Sequence, residues 1–163
     1  MMDERTQEEP KAWDLEGATH RADFKIEELV EFVRAASNSD EDFQTAIAEM
    51  HRALDKAATK VSKKIPAKQD LIGQVDALID TLYFTYGSFV LMGVDPERIF
   101  EIVHQANMGK VFPDGKAHFD PVTHKILKPD DWEEKYAPEP AIKKEIERQI
   151  KAYERHKERV NKK

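Results

Sequence analysis

The chain contains no cysteine. That excludes disulfides, thiolate nucleophiles and cysteine-ligated zinc, and it is compatible with a reducing cytoplasm. A glycine-rich phosphate loop, a Ser-His-Asp set and a nucleophile elbow are also missing. Positive charge is in the minority. With 26 Lys and Arg against 32 Asp and Glu, the net charge is −6, which argues against a general nucleic-acid binder. No apolar run suits a bilayer. The strongest, Leu71–Met92, is interrupted by Asp76 and Asp80, each costing about 3 kcal/mol at mid-bilayer, and no basic asymmetry flanks it. There is no internal repeat and no low-complexity segment. The opening MMDERTQEEPKAW is polar and acidic, unlike a secretory signal. These absences predict a cytoplasmic protein with no membrane and no nucleic-acid partner.

What is present is apolar periodicity. At 163 residues, 40% hydrophobic and 36% charged, the composition suits one helix-rich domain with its own core. Residues 1–20 read as a polar lead-in broken by Pro10 and Gly17, with Trp13 pinning it to the body, and 21–163 as a single all-α domain. A first helix is predicted over Arg21–Ala36, with Ile26, Leu29, Val30 and Val33 as its stripe. Ser39 with Asp42 signals the next N-cap. From Glu41 to Lys64, Phe43, Ile47, Met50, Leu54, Ala57 and Val61 alternate spacings of four and three, the seam of an antiparallel bundle. Pro66 stops that helix. The central helix runs to Met92, and Gly93 is its C-cap. Asp95-Pro96 opens a helix that ends at Gly109. Lys110–Trp132 carries two turn signals and reads as a long ordered loop with room for a short hairpin. The last helix is predicted over Glu139–Asn161, with a thin apolar stripe suited to docking. The expectation is a helical bundle of about five helices.

Leu71–Met92 organises this arrangement. It is apolar on nearly every side, the pattern of a buried helix. Asp76 and Asp80 lie one turn apart on it, roughly 40° from each other around the axis. Buried like charges at that spacing require neutralisation, by a bound cation or by Lys and Arg from another helix. A second acidic set, Glu27, Glu28 and Glu31, borders the stripe of the first helix. Glu-Glu-x-x-Glu alone is common on solvated faces. Facing Asp76 and Asp80, it forms an all-oxygen site suited to Mg²⁺ or Mn²⁺.

Other groups carry weaker signals. His118 and His124 share the long loop without a third ligand at zinc spacing, and His104 reads as a packing residue. Asp114-Gly115-Lys116 is explained by turn chemistry, with phosphate wrapping as the sharper reading. The basic C-terminal residues alternate with Glu and read as a solvated face.

Taken together, Glu27-Glu28-Leu29-Val30-Glu31 and Asp76-Ala77-Leu78-Ile79-Asp80-Thr81-Leu82-Tyr83-Phe84-Thr85-Tyr86-Gly87 resemble the all-α nucleoside triphosphate pyrophosphohydrolases. That superfamily includes MazG-like proteins, dimeric dUTPases and phosphoribosyl-ATP pyrophosphohydrolase. The stretches Gly93-Val94-Asp95-Pro96, Val103–Lys110, Phe112–Lys116 and Lys125–Pro129 are similar to its MazG-like members. The resemblance spans residues 21–135.

The resemblance implies Mg²⁺-dependent hydrolysis of an NTP or dNTP to monophosphate and pyrophosphate by metal-activated water, with Mn²⁺ as the alternative ion. It implies Glu27, Glu28, Glu31, Asp76 and Asp80 as metal ligands, with Glu28 or Glu31 orienting or deprotonating the water. Asn107 and Lys110 are implied on the phosphate side, Lys128 as a further nucleotide-binding residue, and Tyr83 lines the nucleotide pocket.

Two departures stand out. The superfamily's second motif is Glu-x-x-Asp where this chain has Asp-x-x-x-Asp, and the whole seam helix separates the two motifs. Glu49 on that helix is a substitute ligand. A homodimer or dimer of dimers is expected, because a few helices this size seldom enclose a nucleotide. The competing functions are a non-catalytic helical interaction protein and a nucleotide-binding regulator.

Overall fold

The computed structural model describes residues 9–123 and 125–161. Most of the expected lead-in's first half, His124 and the last two lysines lie outside the described residues. The helices are α1 (Leu15–Ala36), α2 (Asp40–Lys64), α3 (Leu71–Met92), α4 (Glu97–Met108), α5 (Trp132–Tyr136) and α6 (Glu139–Asn161). No described helix is long and apolar enough to cross a membrane. The fold is all-α, and a long loop precedes the C-terminal helices. The chain divides into two compact units, one covering Glu4–Ile79 and the other Asp80–Lys163.

In the first unit, α1 begins six residues earlier than its apolar stripe predicts. The Asp14 carboxylate accepts from Gly17 N at 2.8 Å, and this cap outweighs the glycine as a breaker. Trp13 is pinned through its backbone. Its N–H donates to Gln74 Oε1 at 2.9 Å, and its carbonyl accepts from Gln74 Nε2 and Gln69 Nε2 at 3.0 Å. At the α1–α2 corner, Asp42 N donates to Ser39 Oγ, while Asn38 N donates to the Asp42 carboxylate. Arg34 reaches across this corner to Asp40 at 2.7 Å and lies over the Phe43 ring.

In the second unit, α3 ends in a Schellman motif: Val94 N donates to Phe89 O and Gly93 N to Val90 O, with Gly93 at φ +69°. Asp95 then accepts from Glu97 N and starts α4. The Gln149 side chain grips the Asp95 backbone in both directions, docking α6 beside α4. Glu145, almost buried, accepts from Arg148 Nε and Nη2 and from Gln149 Nε2. The loop forms two isolated antiparallel bridges, Val111 with Ala117 and Phe119 with Ile126, in place of a full hairpin. It closes at Trp132, whose side chain is 5% exposed.

The expectation of a buried central helix is corrected. No α3 residue is buried in the single chain, and Tyr83, Val90 and Leu91 are 75%, 77% and 90% exposed. Among the described residues, the buried apolar side chains are those of Ala106 and Trp132.

Candidate active site

Asp76 and Asp80 are exposed and one turn apart on α3, an arrangement fixed by the helical repeat. No ion pair to either is found among the described residues. Glu27, Glu28 and Glu31 share α1 and are exposed. Glu49, on α2, is paired with Arg52, whose hydrogen bonds hold the glutamate below its ordinary value.

No three described His, Asp or Glu side chains stand together as a group able to hold a metal ion. The donor chemistry of the aspartate pair still fits a hard divalent cation. Both donors are oxygens, and Mg²⁺ takes one or two carboxylates plus substrate phosphates rather than an all-protein cage.

The phosphate-side residues are better defined. Lys110 Nζ donates to Asn107 Oδ1 at 2.8 Å, and Asn107 Nδ2 donates to Val103 O at 3.1 Å, anchoring the amide on α4. Lys128 Nζ donates to Glu133 Oε1 at 2.8 Å. Both lysines address one ring. Lys128 Nζ lies 3.9 Å and Lys110 Nζ 5.7 Å from the Trp132 ring centre. The indole Nε1–H donates to Ala106 O at 2.8 Å, tying α5 to α4. Asn107, Lys110 and Lys128 are the residues that the sequence predicts here, and the structure sets the Trp132 ring beside both lysines. The contact of Lys110 with this ring joins residues far apart in the chain and leaves no periodic trace.

Tyr83 is exposed on α3 with its ring edge-on to Phe84. Asp114 accepts from Lys116 N and pairs with His118 at 2.8 Å, and these bonds, the backbone one first, hold its carboxyl below the usual range. Its turn is accounted for by those bonds and by Gly115 at φ +78°. His104 stacks parallel to Phe100 on α4.

A cleft of about 420 Å³ lies between α4, α5 and the start of α6, lined by Arg98, His104, Gln105, Lys135 and Tyr136 among others. None of the site residues expected from sequence lines it.

Residues 1–107 match the phosphoribosyl-ATP pyrophosphohydrolase family. A solved structure from Exiguobacterium sp. 255-15, a candidate NTP pyrophosphohydrolase, is 39% identical, with a TM-score of 0.80 over 91% of this chain and 88% of that one. No curated protein matches. The family match ends at Asn107, whereas the structural likeness extends over 91% of the chain. The chain thus belongs to the phosphoribosyl-ATP pyrophosphohydrolase family, with the MazG-like all-α fold, and is a hydrolase of pyrophosphate bonds.

Proposed function

We propose that the protein is an Mg²⁺-dependent nucleoside triphosphate pyrophosphohydrolase that releases monophosphate and pyrophosphate and works as a homo-oligomer. The observation that carries this reading is the aspartate pair. Asp76 and Asp80 present two carboxylates from an otherwise apolar helix, with no cationic partner among the described residues.

In this reading Asp76 and Asp80 hold the cation, together with donors from Glu27, Glu28 and Glu31. The cation, when bound, activates water and offsets charge on the phosphoryl group. Glu28 or Glu31 orients that water and takes its proton. Asn107, Lys110 and Lys128 bind the phosphates, lysine as a point charge and asparagine as a two-way amide. Tyr83 lines the pocket.

The exposed apolar side chains of α3 support a second copy. The uncovered apolar faces of α3 supply much of what an interface needs.

The test is thermal unfolding with and without millimolar Mg²⁺ or Mn²⁺. A resident site raises Tm by mass action, and Asp80→Asn removes that gain. A gain that persists in Asp80→Asn overturns the assignment of this pair. No gain with either ion, together with no turnover, selects the non-catalytic interaction reading.

A further inference from the structure

We propose that Trp132 is a positioning residue. Its ring gathers the Lys110 and Lys128 ammoniums into one cradle for the pyrophosphate end of the substrate. This rests on the proposed function for its substrate and deepens it at the phosphate side. The geometry combines three segments. Lys110 follows the C-terminus of α4, Lys128 sits late in the loop, and Trp132 opens α5. One ring centre lies 5.7 Å from the first ammonium and 3.9 Å from the second. The ring cannot drift, because it is 5% exposed and its Nε1–H is held by Ala106 O at 2.8 Å.

Gathering two ammoniums at one ring is unfavourable by mutual repulsion, and a ring face offsets it only in part. A polyanion offsets more of it. Asn107 and Glu133 each accept from one of the lysines; the amide orients the Lys110 ammonium, and the carboxylate orients and partly neutralises that of Lys128. Lys128 stands four residues before Trp132 and meets its ring locally, whereas Lys110 is brought to the same ring from the end of α4.

The probe is inorganic pyrophosphate in EDTA, which removes any metal-bridged binding on the acids. The chain has two tryptophans, so Trp13→Phe leaves Trp132 as the single indole reporter. Calorimetry and fluorescence on Trp13→Phe are expected to give one matching saturable isotherm. Lys128→Gln should weaken it about tenfold, the weight of one charge-assisted contact. In the otherwise native chain, Trp132→Phe keeps a ring face and should weaken calorimetric binding about threefold, and Trp132→Leu about tenfold or more. With nucleotide, the Trp132 variants should raise KM and leave kcat within about twofold, since the cradle binds and does not react.

Several outcomes overturn the proposal: no pyrophosphate binding, binding with no change in Trp132 fluorescence, or a folded Trp132→Phe or Trp132→Leu that binds as tightly as the parent. If Trp132→Leu does not fold, Trp132→Phe and the Lys128→Gln isotherm decide. Failure of the hydrolase reading looks different, because pyrophosphate then still binds in a Trp132-dependent way while no nucleotide is cleaved.

Discussion

At the scale of single residues, the acids divide by environment. Glu145 is nearly buried and structural, and the hydrogen bonds from Arg148, then Gln149, lower its pKa from 4.5 to about 2. A depressed folded value means these bonds stabilise the fold fully above pH 4.5. Their contribution fades as pH falls from there through about 2. Glu145→Gln is therefore expected to lower Tm at pH 7, with the gap to wild type closing near pH 2 in melting curves across that range. A gap independent of pH would contradict the bonding assigned to Glu145.

Asp76 and Asp80 are the opposite case, exposed acids with no ion pair among the described residues. Asp76→Asn alone is expected to leave the metal-free unfolding free energy, read by chemical denaturation, within about 0.5 kcal/mol of wild type, as for an ordinary surface change. Glu145 was not legible as special from sequence. Glu-x-x-Arg-Gln on a charged helix looks like a solvated face until Asp95 is brought against it. The aspartate pair was legible because charge stands out in an apolar run.

At the scale of elements, boundaries followed local chemistry closely. Ser39, Gly93 and Asp95 act at the helix ends they signalled. Gly93→Ala forces a side chain into positive φ and is expected to cost about 1 kcal/mol, read by chemical denaturation. Gly109 is constrained by contact. A Cβ there would stand 2.5 Å from Tyr136 Cγ, so Gly109→Ala should cost about 1–3 kcal/mol by displacing α5 from the end of α4. If the two variants melt like wild type, the α3 cap and the α4–α5 contact are not as described.

Two features escaped the pattern. The single-turn helix α5 is too short for periodicity to register. The clasps of Gln74 on Trp13 and Gln149 on Asp95 are long-range side-chain bonds with no spacing rule.

At the scale of the whole molecule, apolar patterning identified α3 correctly as a helix and misjudged what covers it. Periodicity records that a face is to be hidden, not whether the same chain hides it. The account predicts that a second copy does so. Val90→Glu is a mild change on a free helix surface and a disruptive one inside an interface. It is expected to shift sedimentation velocity from an oligomer to a monomer. A monomeric wild type at tens of micromolar would refute the shared interface.

The measurement that bears most directly on the central claim is product analysis. A panel of ribo- and deoxyribonucleoside triphosphates is incubated with the protein and Mg²⁺ or Mn²⁺, with Asp76→Asn and Asp80→Asn alongside, and the products are resolved by ion exchange. The account predicts monophosphate and pyrophosphate from at least one nucleotide, only with metal, and a loss of about 100-fold or more in both variants. Diphosphate and phosphate, or turnover undiminished in both variants, would contradict it.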